Sequence, residues 1–159
     1  MPYERNSLYR NQYPGLSHSQ INQRSDSGCK YRDNKDWWEF RRNTFILYTS
    51  EAVLDEVAQG DAEISAQRLE ILRDFPLLAL NQTVQDLAAQ FLARSSLPPK
   101  AKVDAIHIAA ATIHGMDYLL TWNCKHIANA QIQGKLAEIS LDFGYVLPIL
   151  CTPNELMGD

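Results

Sequence analysis

A chain of 159 residues, 45% of them hydrophobic and 21% charged, has the size and balance of one globular domain with a real core. No apolar run approaches the roughly 20 residues needed to cross a bilayer, and the amino terminus lacks the apolar stretch of a secretory signal, so the expected location is cytoplasmic with no membrane partner. The net charge of −4 argues against a protein that coats nucleic acid nonspecifically, and Cys29, Cys124 and Cys151 show no C-x-x-C spacing and so no disulfide framework or zinc motif.

Residues 1–36 hold six Lys or Arg against four Asp or Glu, and their branched aliphatics are Leu8, Leu16 and Ile21 alone, with no Val, Ala or Phe. No strand or amphipathic helix is legible there, and the composition over residues 1–35 is that of a disordered or divergent segment. The character changes at Asp36, where Trp37, Trp38 and Phe40 begin a short helical stretch to Asn43, so the folded domain is expected over residues 36–159. Phe45 to Tyr48 reads as a buried parallel strand. Ser50 then caps a helix that buries Val53, Leu54 and Val57 and stops at Gly60. Asp61 caps the next, which runs to about Asp74 with Ile64, Arg68, Ile71 and Leu72 on one stripe, before Pro76 breaks it.

Leu77 to Leu80 is the second strand expected. Thr83 and Asp86 form a T-x-x-D start for a helix whose Val84, Leu87, Ala88, Phe91 and Leu92 follow the i, i+3, i+4, i+7, i+8 pattern. After the loop Ser95 to Pro99 a helix is expected from Lys102 to His114, ended by Gly115, and then a strand from Tyr118 to Trp122. A helix from Ile127 to Leu141 ends near Gly144. Val146 to Leu150, interrupted by Pro148, reads as an edge strand, and Thr152, Pro153 and Glu155 make a capping box for a short last helix. Strands alternating with helices predict an α/β fold, a parallel sheet with helices on both faces.

The stretch from Asp104 to Ile127, DAIHIAAATIHGMDYLLTWNCKHI, sets an Asp at a helix start and Asn123 just past an apolar strand, at the end where open parallel sheets collect ligands. Through D-A-I-H-I-A, L-L-T-W-N-C-K-H-I and Glu56 in S-E-A-V-L-D-E-V, the sequence resembles the PIN-domain ribonucleases, the fold of VapC-like toxins of type II toxin-antitoxin systems, over about residues 36–157. The resemblance implies a three-layer fold with strand order 3-2-1-4-5 and a metal-dependent endoribonuclease. It also implies Mg²⁺ or Mn²⁺ held by Glu56, Asp104 and Asn123 as catalytic residues, an RNA substrate, a cognate antitoxin and a homodimer. Members of that family begin with an apolar central strand that carries a first acid. Residues 1–36 show no such run, so the central strand is expected to be missing or replaced, with Glu4 in P-Y-E-R-N-S the nearest candidate for the acid.

Clustered carboxylates suit this chemistry because hard divalent cations take oxygen ligands. Each residue also has a plain structural role open to it: Glu56 as a solvated helix residue, Asp104 as a first-turn acid favoured by the helix dipole, Asn123 as a turn residue. Thr121 is expected to orient the Asn123 end, Lys125 or His126 to contact phosphate or RNA, and His107, one turn after Asp104, to pack and hydrogen-bond. Arg41, Arg42, Lys100 and Lys102 would complete a basic rim. Zinc on His107, His114, Cys124 and His126 lacks any ligand pair at structural-zinc spacing. Three classes of function follow: the endoribonuclease toxin, a catalytically impaired PIN-like module that binds antitoxin or RNA, and a flavodoxin-like small-molecule binder, against which the lack of a Gly-rich phosphate loop counts. Carboxylates gathered in such a site repel one another without a cation, so Asp104→Asn is expected to leave the metal-free fold as stable or more so.

Overall fold

The computed structural model describes residues 5–9, 36–59 and 61–157. Five strands, β1 (Arg5–Tyr9), β2 (Phe45–Ser50), β3 (Leu77–Leu78), β4 (Tyr118–Leu120) and β5 (Ile149–Cys151), form a sheet in the order β3-β2-β1-β4-β5. Every pairing is parallel. Among the described residues five α-helices join them: α1 (Glu51–Ala58), α2 (Ala62–Leu72), α3 (Gln82–Arg94), α4 (Lys102–Ile113) and α5 (Ala130–Asp142). The chain is an α/β protein, as the alternation of strand and helix patterns predicts.

The central strand corrects the sequence reading. Arg5–Tyr9 lies between β2 and β4, with Arg5 opposite Phe45 and Leu8 opposite Tyr48 on one side, and Ser7 opposite Tyr118 and Tyr9 opposite Leu120 on the other. The middle of the sheet is therefore filled, and by a segment expected to contain no strand. Its sequence, RNSLY, is polar where a central parallel strand is usually a continuous apolar run. Backbone amides on both sides make a strand central, and any residue but proline can supply them. Glu4 lies outside the described residues; Arg5, which follows it, pairs with the first residue of β2 and so starts the strand at the amino end of the sheet.

Caps set most helix boundaries. The Ser50 side chain accepts from the Val53 amide at 3.4 Å, and Asp61 Oδ1 accepts from the Glu63 and Ile64 amides at 3.0 and 3.1 Å. At α3 the cap is Asn81, whose Oδ1 accepts from the Val84 amide at 3.1 Å, and the helix starts two residues before Thr83 does its expected work. The last helix begins later than its apolar pattern suggests. Residues after Asn123 first make a turn, with the amides of Ile127 and Ala128 both donating to the Asn123 carbonyl, and Asn129 caps α5. Gly144, at φ +79°, lets the chain leave α5 through a left-handed residue. The Thr152 backbone N–H donates to Glu155 Oε2 at 2.7 Å, which closes the carboxylate half of the expected capping box on a single turn, Pro153–Leu156.

Burial divides into two clusters. One gathers Val84, Leu87 and Phe91 of α3, Ile108 of α4 and Leu136 of α5 with Leu119 and Leu150. The other gathers Val53 and Val57 of α1 and Leu72 of α2 with Trp37, Leu47, Leu120 and Cys151. Neighbours on β4 and on β5 enter different clusters, as the two-residue repeat of a strand requires. Val84, Leu87, Ala88 and Phe91 of the α3 stripe are buried as the pattern predicts and Leu92 is partly so, whereas Ile71 of the α2 stripe is 37% exposed.

Candidate functional site

Parallel strands all point one way, so everything that follows a strand or precedes the returning helix gathers at one end of the sheet. Asp104 stands in the first turn of α4, which enters from that end, and Asn123 lies three residues past Leu120, where β4 leaves it. The two meet: Asn123 Nδ2 donates to Asp104 Oδ1 at 3.0 Å. Thr121, buried and tied to β5 by its amide on the Cys151 carbonyl, accepts the Asn123 N–H on Oγ1 at 3.0 Å. His126 completes the group. Its backbone N–H donates to Asn123 Oδ1 at 3.0 Å, and its ring Nδ1 lies 3.0 Å from Asp104 Oδ2.

Glu56 reaches the same helix by another route. Six residues past Ser50 on α1, its Oε2 lies 3.2 Å from Nε2 of His107, which is one turn beyond Asp104 on α4. The His107 side chain is fully buried and that of Glu56 is 31% exposed, so the carboxylate faces solvent on one side and an imidazole on the other. The D-x-x-H spacing places Asp104 and His107 on one helix face. His126 partners the first and Glu56 the second.

The donor set fits a hard divalent cation in part. Asp104 and Glu56 bring the anionic oxygens that Mg²⁺ and Mn²⁺ take, and Mg²⁺ commonly binds through one or two carboxylates while keeping several waters. Asn123 has one of its two oxygen lone pairs engaged in this arrangement. Its Oδ1 accepts the His126 amide, and that bond fixes which way the side chain is turned, so its NH₂ faces Asp104. A metal ion needs a lone pair, and an amide nitrogen offers hydrogens. Among the described residues no three His, Cys, Asp or Glu side chains form a group that would hold a metal ion.

The remaining expectations divide. Lys125 is exposed, and its carbonyl accepts from Asn129 Nδ2 at 3.0 Å. His126 turns its ring to Asp104. His114 Nε2 is 2.8 Å from the Ala79 carbonyl and Cys124 is exposed, so the three histidines weighed for zinc take separate partners. Lys100 and Lys102 are exposed at the Asp104 end of α4. Arg42 is not on that rim. It stacks on Trp38 at 4.6 Å beside a cleft of about 630 Å³ lined also by Phe45, Phe75 and Pro76, the residues where β2 begins and β3 is about to begin, at the opposite end of the sheet. Arg41 precedes β2 on that same side. Two linkages escaped the sequence reading, Asp104 to His126 and Glu56 to His107; the N-x-x-H spacing of Asn123 and His126 was the available signal for the first.

No protein-family model matches this sequence, and no curated protein matches it either.

Proposed function

We propose that the chain is a PIN-type endoribonuclease of three-layer architecture that hydrolyses RNA phosphodiester bonds with Mg²⁺ or Mn²⁺, as the toxin of a cytoplasmic toxin-antitoxin pair. One observation carries this reading: Asp104 and Asn123 converge at the carboxyl end of a parallel sheet ordered 3-2-1-4-5, with Glu56 drawn to the same helix. That is the strand order and the set of residues the resemblance calls for.

Asp104 and Glu56 are the residues that would hold the cation. The chemistry a divalent cation supplies at such a site is a lowered pKa for the attacking water and neutralisation of charge developing on the phosphate. Asp104, 9% exposed, is enclosed by its hydrogen-bond donors, whereas Glu56 opens to solvent where substrate arrives. Lys100 and Lys102, at the same end, suit contacts to the RNA backbone, which position a strand without reading its sequence. Asn123 acts here as the brace of Asp104.

A second reading, a catalytically impaired module that binds antitoxin or RNA, draws on a specific observation. The central strand RNSLY carries no Asp or Glu, so the family's first acid has no counterpart within it. The two readings separate in one experiment. Purified chain is incubated with RNA and Mn²⁺; the nuclease reading expects cleavage that EDTA stops and that Asp104→Asn and Glu56→Gln each reduce by orders of magnitude. Cleavage that survives full chelation refutes the metal mechanism. RNA binding without cleavage at any Mn²⁺ concentration leaves the second reading standing.

A further inference from the structure

His126 serves its two neighbours with different atoms. Its main-chain N–H holds Asn123 Oδ1 at 3.0 Å, and its ring Nδ1 meets Asp104 Oδ2 at 3.0 Å, while Asn123 Nδ2 holds Asp104 Oδ1 at 3.0 Å. The three residues thus close a ring of hydrogen bonds that brings a donor to both carboxylate oxygens. An ionised carboxylate only accepts, so of the two neutral tautomers of His126 the one protonated at Nδ1 makes this bond. The ring is in place to do it because its side chain is only 16% exposed and its Nε2, buried, finds no partner among the described residues. Among the described residues nothing on the Nε2 side competes for the proton.

We infer that His126 is a positioning residue for the metal site: its Nδ1–H, opposite the Asn123 amide, fixes the rotation of the Asp104 carboxylate and so the direction in which that carboxylate meets a cation. This role rests on the reading of Asp104 as a metal-holding residue. A carboxylate held by one donor can swing about its last side-chain bond; one held on both oxygens by groups that are themselves tied down cannot. Outer hydrogen-bond partners of this kind typically govern metal affinity by about 10–100-fold. The sequence spacing N-x-x-H is what lets one residue brace both partners, since the same turn that brings its amide to Asn123 brings its ring to Asp104.

The test uses the full chain. Histidine ¹⁵N shifts in the metal-free wild type report the tautomer, and Mn²⁺ affinity is read from free Mn²⁺ by electron paramagnetic resonance for wild type, His126→Asn, His126→Gln and His126→Leu. Asparagine sets an N–H donor where Nδ1 stands; glutamine sets one near Nε2, and leucine sets none. The expected result is an Nδ1–H tautomer, affinity within a few-fold of wild type for His126→Asn, and a loss of about 10–100-fold for His126→Gln and His126→Leu. A tautomer protonated at Nε2, or equal Mn²⁺ affinity in all four proteins, overturns the positioning role. If the leucine variant does not fold, the asparagine and glutamine pair and the wild-type tautomer still decide. A wild type that binds Mn²⁺ and cleaves RNA alongside either adverse result sinks this role alone, whereas a wild type that binds no Mn²⁺ sinks the metal-site reading and this role with it.

Discussion

Replacing Asp104 by asparagine should destabilise the metal-free protein, and the direction follows from what surrounds the carboxylate. Its two oxygens each accept a donor, Nδ2 of Asn123 and Nδ1 of His126, both at 3.0 Å. An asparagine at 104 keeps one oxygen and turns the other into an NH₂ group, so donor faces donor whichever way the amide is placed. Asn123 cannot turn to help, because its Oδ1 is taken by the His126 amide. His126 can move its proton to Nε2 and accept at Nδ1, but Nε2 is a buried atom with no partner among the described residues, and a proton there becomes an unsatisfied donor. The loss is about one hydrogen bond to a charged group, roughly 1.5–3 kcal/mol. For a chain of this length about 1 kcal/mol corresponds to roughly 2–4 °C, so Tm in EDTA should fall by roughly 3–12 °C. The simpler expectation, relief of repulsion between neighbouring carboxylates, has the opposite sign. It overlooks the imidazole on each carboxylate: His126 faces Asp104 and His107 faces Glu56. Calorimetric melts of wild type and Asp104→Asn in EDTA decide between them, and an unchanged or higher Tm in the variant refutes the donor-cage argument.

Deleting residues 1–9 removes the strand between β2 and β4, so the cooperative thermal transition should be lost; a variant that melts as wild type does would refute the strand order. Asn81→Ala should lower stability by about 1 kcal/mol while Thr83→Ala changes it little, because Asn81 is the residue that caps α3; equal effects in denaturant titrations would contradict that assignment. The Cys151 thiol is pushed up to about 12, first by burial and then by the charge of Glu155, so iodoacetamide at pH 8 should label exposed Cys124 and spare Cys151 in the native protein, as peptide mass spectrometry would show. The same shift sets a sign for alkaline stability. The folded state keeps a proton that the unfolded chain releases near 9, so this contribution is full below about pH 9 and is lost as pH rises toward 12; a denaturation midpoint that falls less over that range in Cys151→Ala than in wild type would reveal it.

What the sequence made legible was local. The α3 stripe of Val84, Leu87, Ala88 and Phe91 needs only a periodic pattern and an apolar partner, and all four are buried. Asp104 and Asn123 were legible as neighbours because both lie in one short helix-turn-strand segment whose geometry its own pattern implies. The pairing of Glu56 with His107 spans 51 residues and depends on how α1 packs against α4, which no periodicity encodes. β1 was illegible for a different reason. Side-chain patterns report burial, but a strand's place in a sheet is decided by backbone pairing, and RNSLY states no preference in its side chains.

These two kinds of legibility divide the molecule's energetics as well. The four hydrogen bonds among Asp104, Thr121, Asn123 and His126 all close within the segment that α4 and β4 define, whose helix carries the densest run of fully buried residues, Ala105 and Ile108 to Ala111. Their geometry is therefore held by packing of α4 against α3 and by β4 against β5.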